Sequence, residues 1–318
     1  MRLSSKTATL LTLIAIILVA PLFFPSNYYF RVASLVYVNG LAVIGIVILT
    51  GYAGQISLGH AGFAGIGAYA CALAPVYLAL PPALAVVFGA LVSALAAYVV
   101  GRPILRLKGY YLAVASLGLG ILVSMLLTNE IAITGGPDGI KVPDLGLRGW
   151  LVDKGLSVTN GQFWYGMSAV CLVIGAWVAL NLADSATGRA LRALHGSETA
   201  AGTVCVDVAH AKLTAFVISA VYASVSGSLL ALMNRLVTPD IAGYMHSIEM
   251  VTMAVLGGSG TVLGGILGAA ILTLLPQVLT AFEQYEQVVL GAIMMLVMIF
   301  LPQGLLPSLL GLLKGRRG

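Results

Sequence analysis

Apolar residues run in long unbroken stretches along this chain, and polar residues gather in the short intervals between them. Ten stretches approach the ~20 residues that a helix needs to cross ~30 Å of hydrocarbon. They lie at roughly 7–24, 32–50, 57–80, 82–100, 111–128, 163–182, 213–232, 247–259, 261–281 and 287–302. Residues 249–282 form one run too long for a single span, and Gly257-Gly258-Ser259-Gly260 in its middle predicts a tight turn between two spans. The runs are continuous rather than alternating with period two, which argues against a β-barrel. The pattern predicts an all-α, polytopic bundle in one transmembrane domain covering 1–318.

Two polar stretches interrupt the pattern, 129–162 and 183–212. In the second, Ser185 or Thr187 can cap a short helix over 189–195, Gly196 can end it, and Ser197 can cap a further helix with Glu198 in its first turn. Arg189, Arg192 and His195 recur at i, i+3, i+6 and share a basic face, while Leu191 and Leu194 share another. In the first stretch, Thr134-Gly135-Gly136-Pro137-Asp138-Gly139 is turn chemistry. Trp150, Trp164 and Tyr165 read as aromatics of an interfacial belt.

Composition agrees with lipid as the solvent. Apolar residues make up 60%, charged ones 8%, and the mean hydropathy is +1.04. Charge then sets orientation. With ten spans both termini share a side, and that side collects 11 of the 16 Lys and Arg: Arg2, Lys6, Arg102, Arg106, Lys108, Arg189, Arg192, Lys212, Lys314, Arg316 and Arg317. Arg31, Lys141, Arg148, Lys154 and Arg235 fall on the other side. The positive-inside rule makes the first side, with both termini and residues 183–212, cytoplasmic. The net charge of +5 therefore reflects topology, and nucleic acid is not an expected partner. Residues 1–25 lack a small-residue cleavage site and read as an uncleaved first span.

Several chemistries are missing. The sequence has no G-x-x-x-x-G-K-[ST], no H-E-x-x-H and no G-x-S-x-G. Cys71, Cys171 and Cys205 have no metal or disulfide spacing, so no metal site and no cofactor are expected in this chain. Span interiors are nearly uncharged apart from Glu249, which has Ser247 beside it. An ion-driven carrier usually needs more intramembrane ionisable groups, so the energy source is expected to be external. Glycine clusters at 51–67 and 257–268 suit close helix packing or broken helices lining a path. The sparse polar groups near such a path are Asn39, Gln55, Ser57 and His60, with Gly62 on the packed face and Glu249 near an outer end. His60, flanked by glycines, reads more as a brace for backbone than as a substrate ligand.

Six stretches carry a family resemblance: Gly51-Tyr-Ala-Gly-Gln-Ile-Ser-Leu-Gly-His-Ala-Gly-Phe63, Leu105-Arg-Leu-Lys-Gly-Tyr-Tyr-Leu-Ala113, Ile133-Thr-Gly-Gly-Pro-Asp-Gly-Ile140, Thr187-Gly-Arg-Ala-Leu-Arg-Ala193, Ser247-Ile-Glu249 and Val255-Leu-Gly-Gly-Ser-Gly260. In this order they resemble the permease subunits of branched-chain amino acid ABC importers, the M-type of the LivH/LivM pair. The resemblance implies a type II importer-like bundle in the bacterial cytoplasmic (inner) membrane that is not itself an enzyme. Its implied partners are a second, LivH-type permease, two cytoplasmic subunits that hold ATP and Mg, and a periplasmic or lipid-anchored binding protein, all within membrane lipid. It makes 183–212 the ATPase-coupling loop, with Arg189, Arg192, His195, Glu198, Ala200 and Ala201 as coupling residues, the last three in an E-x-A-A docking element. It makes 129–162 the binding-protein side, with Asp138 and Lys141 as rim charges. The chain departs from the family at three points: Cys205 stands where glycine is usual, His195 where arginine is common, and Gly196 where an acid is common. Relatives with these motifs also carry urea and short amides or aromatic carboxylates. An ATP-independent channel or facilitator would have no need of the basic helix pair.

Overall fold

The computed structural model describes residues 5–147, 159–278 and 304–308, with isolated positions between them. The regular elements among the described residues are helices, apart from one two-residue strand pair. The helices are α1 (Ser5–Val19), α2 (Asn27–Ile46), α3 (His60–Tyr77), α4 (Pro82–Ile104), α5 (Tyr110–Asn129), α6 (Ile131–Thr134), α7 (Asn160–Asp184), α8 (Ala186–Gly196), α9 (Glu198–Thr203), α10 (Val208–Asn234), α11 (Tyr244–Gly257) and α12 (Val262–Val278). Among the described residues six segments are long and apolar enough to cross a bilayer: Lys6–Phe23, Asn27–Tyr52, Pro82–Ile104, Tyr110–Asn129, Asn160–Asp184 and Val208–Asn234. The expected spans at 57–80 and 261–281 appear as the shorter α3 and α12, of 18 and 17 residues, and the one at 247–259 as α11, 14 residues long and shifted about three residues toward the N-terminus. At 1.5 Å per residue α11 reaches only about 21 Å. Most of the tenth segment, 287–302, lies outside the described residues, as do Arg2, Arg148, Trp150, Lys314, Arg316 and Arg317.

Burial sorts the helices into a centre and a periphery. The α2 segment is 83% buried and α10 67%, against 11% for α1 and 22% each for α4 and α5. Around α2 pack α7, α10 and α12, and α10 in turn packs against α3 and α4. The core consists of Ile44, Ile46, Ile48 and Leu49 from α2 and its extension, Phe63 from α3, Leu172 from α7, and Phe216 and Leu232 from α10. Apolar side chains that cover α1, α4 and α5 outwardly are those a lipid solvent would meet. Trp164 and Tyr165 are not belt aromatics: both are buried, and the Tyr165 hydroxyl donates to the Ile17 carbonyl at 2.6 Å and pairs with Tyr37 at 2.9 Å. A phenol in a hydrophobic interior needs such a partner, so these rings tie α7 to α1 and α2.

Tertiary contacts order the two ends of the bundle. At one end Lys6 pairs with Asp184 at 2.7 Å and Lys108 with Glu198 at 3.8 Å. This basic end gathers Lys6, Lys108, Arg189, Arg192 and Lys212. At the opposite end Ile140–Lys141 pairs antiparallel with Leu236–Val237, Asp144 pairs with Arg235 at 2.7 Å, and Thr159 donates to Asn27 at 2.9 Å. The grouping matches the one charge alone predicts.

The turn expected at 257–260 is present. Gly258 has φ +110°, a conformation that strains residues with a side chain. It lets α11 and α12 fold back on one another, and a Cβ on Gly257 would overlap the Gly264 carbonyl and one on Gly268 the Met253 carbonyl.

Candidate functional site

The site is built on a break in the chain between α2 and α3. Past Ile46 the helix widens into a π-helical turn, Val47–Tyr52, and from Ala53 to Gly59 the backbone is not helical. Gly54 at φ +67° begins this unwound segment. Helix α3 then starts well inside the bundle. His60 meets Ser219, which lies about 17 Å along α10 at 1.5 Å per residue. Irregular backbone at such a depth persists only where protein or a cavity surrounds it. Here hydroxyls from two neighbouring helices satisfy it: the Leu58 amide donates to Ser116 Oγ of α5 at 3.0 Å, and the Ala61 amide to Ser247 Oγ of α11 at 3.0 Å. Both serines are fully buried. Ser116 is one of two serines in the apolar α5, and nothing in the sequence sets it apart from Ser124. Ser247 is legible in the sequence only through Glu249 beside it and the family stretch that holds both.

The path candidates separate into three groups. Gln55, Ser57, His60 and Gly62 all lie on the unwound segment or the first turn of α3, and all are buried. His60 Nε2 lies 2.6 Å from the Ser219 side-chain Oγ, where the sequence predicts a contact to backbone, and the ring packs edge-on against Phe63 and Phe216. Gly62 lies against α5, where a Cβ would stand 3.3 Å from Gly120 Cα. The Gln55 amide and the Ser57 hydroxyl are buried without a hydrogen-bond partner among the described residues, so they are the groups of this set not committed to bracing. Asn39 sits apart and donates to Thr273 Oγ1 at 3.0 Å, which joins α2 to α12. Glu249 also sits apart, half exposed and paired with His246 at 3.3 Å.

The loop after α7 folds as the capping pattern predicts. Ser185, not Thr187, caps α8 by accepting from the Gly188 amide at 3.2 Å, and Ser197 caps α9 through the Ala200 amide at 3.3 Å. Leu191 and Leu194 are buried beneath α8. The basic face is partly turned inward. Arg189 donates to the Asp184 carbonyl at 3.0 Å and Arg192 to the Ala183 carbonyl at 2.6 Å, so both guanidiniums cap the negative end of α7. Glu198 also faces the protein, on Lys212 and, at 3.8 Å, Lys108. Of the E-x-A-A residues, Ala201 is buried and Ala200 exposed. The outer surface of the pair is therefore Thr199, Ala200, Thr203 and Val204 on the α9 side, the last 68% exposed, and Arg189, Arg192, Ala193 and His195 on the α8 side. Sequence reasoning missed Val204, Lys108 and Lys212, because only the fold shows which way a six-residue helix turns. Cys205 follows with φ +60°, which gives a physical reason for the glycine usual there.

At the opposite end, Asp138 and Lys141 are both exposed, one in the 3₁₀ turn Gly136–Asp138 and one in the strand pair. Thr134 holds that turn by donating to the Leu127 carbonyl at 2.6 Å. Among the described residues no group of His, Cys, Asp or Glu could hold a metal ion.

Residues 28–298 match the family described as branched-chain amino acid transport system / permease component. The high-affinity branched-chain amino acid transport system permease protein LivM of Salmonella typhimurium is 33% identical over 98% of this chain and 78% of its own. LivH of the same system in Escherichia coli is 29% identical over 64% of this chain and 66% of its own, and the fructose import permease protein FrcC of Rhizobium meliloti 29% over 60% and 54%. No solved structure matches the chain. The all-helical bundle, the glycine-rich break after α2 and the capped helix pair after α7 thus sit in a chain that belongs to the permease component family of branched-chain amino acid transport systems.

Proposed function

We propose that this chain is the M-type permease subunit of an ATP-driven importer of branched-chain amino acids in a bacterial cytoplasmic membrane. The observation that carries the proposal is the helix pair α8–α9 at the basic end. Serine caps at both starts, two arginines on the carbonyl end of α7 and an ion pair beneath make it a fixed platform, with exposed basic residues on α8 and small residues on α9. A facilitator would have no need for such a platform. In this reading it receives the ATP-binding subunits, which hold ATP and Mg. Residues 129–162 face a binding protein at the opposite end, and a LivH-type permease completes the path.

The reading includes ten crossings with both termini cytoplasmic. Tyr28 hydrogen-bonds Gln277, which sets the end of α12 at the end opposite the basic one. Gly304 lies against Gly258 at the other end of α12, which supports the reading of a further crossing. An external energy source also follows from cost: a zwitterion in hydrocarbon is expensive, and this chain offers few charged groups along its spans. Affinity then belongs to the binding protein, and a path with weak polar groups, Gln55 and Ser57 among them, releases what it receives.

The test is reconstitution of the chain with the second permease and ATP-binding subunits in proteoliposomes, with uptake of L-leucine from its binding protein. ATP-dependent accumulation is the expected result. Equilibration of leucine without ATP overturns the importer reading. Accumulation of urea or an aromatic carboxylate in place of leucine corrects the cargo and leaves the architecture.

A further inference from the structure

The corner between α8 and α9 rests on the unwound segment between α2 and α3. Two contacts make it so. A Cβ built on Gly54 lies 3.1 Å from His195 Nδ1 and 3.3 Å from His195 Cα, so the last turn of α8 touches the backbone of the break. Three residues on, Glu198 reaches down to Lys212, whose side chain is only 5% exposed. Glu198 and Lys212, with Gln55, Ile56 and Lys108, line a cavity of about 70 Å³, room for one or two water-sized molecules and too small for an amino acid. Gln55, whose buried amide has no partner among the described residues, is thus the polar side chain of the break that shares this cavity with the ion pair.

We propose that this corner passes movement of the loop directly to the unwound segment, and that Glu198 is the positioning residue that holds the corner in place. The proposal rests on the reading of residues 183–212 as the ATPase-coupling loop. It differs from a docking role for Glu198. A carboxylate turned onto a buried ammonium is committed inward, since removing either partner leaves the other charge buried and unpaired. It is not offered to a subunit outside. The break is suited to receive a push. It carries Gln55 and Ser57, it lacks the regular hydrogen bonds of a helix, its Leu58 amide is held by Ser116 of α5, and the Ala61 amide just past it by Ser247 of α11. A displacement at Gly54 therefore reaches three helices: α3 through the chain, and α5 and α11 through those hydroxyls.

The experiment uses the reconstituted complex, L-leucine and its binding protein, in a Cys205→Gly background. Three quantities are read: ATP-binding subunits retained on the purified complex, the ratio of leucine-stimulated to basal ATP hydrolysis, and uptake. Glu198→Gln is expected to keep the ATP-binding subunits and to lower the stimulated ratio and uptake about tenfold, within the range over which single residues alter coupling. Gly54→Cys with His195→Cys provides a tether in place of the ion pair, because a Cβ at 54 stands where a disulfide partner at 195 can reach it. Added to Glu198→Gln, the oxidised tether is expected to restore the ratio to within about threefold of the background and to lose it again on reduction. If Glu198→Gln fails to assemble, Glu198→Gln with Lys212→Met removes both charges together, and the same loss and tether rescue are expected.

Wild-type coupling in Glu198→Gln overturns the proposal. So does loss of the ATP-binding subunits from a well-folded permease pair, which would make Glu198 a docking contact. Failure of the oxidised tether to restore coupling overturns the direct contact. A complex without these substitutions that shows no leucine-stimulated hydrolysis defeats the importer reading instead, and the proposal falls with it.

Discussion

His60 Nε2 and Ser219 Oγ lie 2.6 Å apart at the centre of the bundle, and this one hydrogen bond joins the start of α3 to the middle of α10. The imidazole is fully buried between Phe63 and Phe216. His60→Ala removes the bond and leaves a cavity, at a cost of about 2–4 kcal/mol. Ser219→Ala strands the ring nitrogen and costs about 1–3 kcal/mol. Thermal unfolding of the purified permease in detergent measures both. A His60→Ala protein as stable as wild type, with uptake lost, would make His60 a substrate ligand instead of a brace.

The glycines of α3 should differ in what they tolerate. A Cβ on Gly62 stands 3.3 Å from Gly120 Cα, a contact that a shift of a few tenths of an ångström relieves. A Cβ on Gly67 would overlap the Ser224 carbonyl of α10, and a backbone cannot give way so cheaply. Gly62→Ala should keep uptake near normal and Gly62→Leu should block it, while Gly67→Ala already prevents assembly. Gel filtration and vesicle uptake, run on the same preparations, separate these outcomes. Normal transport by Gly62→Leu would place that face against lipid.

Arg192→Glu removes a donor from the end of α7 and puts an acid beside carbonyls of the same sign. The loss should be about 1–2 kcal/mol, seen as faster protease cleavage within 183–212. Leucine-stimulated ATP hydrolysis should fall with it. Arg192→Lys keeps the charge but not the planar fork, and should fall between. Unchanged cleavage in Arg192→Glu would show that the cap contributes nothing.

Asp138 and Lys141 stand exposed at the end opposite the basic loop. Reversing both charges should change the association rate of the binding protein at low salt, by up to about tenfold, and should lose its effect at high salt. Stopped-flow binding at two ionic strengths measures it. An unchanged rate at low salt removes both residues from the interface.

Cys205 has φ +60°, where a side chain crowds the backbone. Cys205→Gly should stabilise the loop by up to about 1 kcal/mol and Cys205→Val should destabilise it. Differential scanning of the two variants checks the sign.

Much of this structure follows from local rules that a sequence displays. Serine before a short helix, glycine pairs in a turn and the count of Lys and Arg per loop all act within a few residues, and Ser185, Ser197, Gly258 and Lys6 sit where those rules put them. Directions of side chains on short helices are set by distant contacts instead. Glu198 turns inward because Lys212 and Lys108 lie beneath it, and neither is near it in a motif. Tyr165 is buried against α1 and α2, and Trp164 in a separate apolar cluster with residues of α3 and α10, which no local pattern reports. The shortness of α11 was legible, since its apolar stretch at 247–259 is the shortest of the ten, but not its support: a helix of 14 residues is too short to span on its own and packs against α12.

The exposed thiol of Cys205 also makes the chain its own instrument. Cys71 is buried and Cys171 half-buried in α7, so a polar maleimide added to the folded complex should mark Cys205 first. That position follows directly on α9, so a spin label or fluorophore there reports on the loop through each cycle of nucleotide binding and release, without any change to the natural sequence.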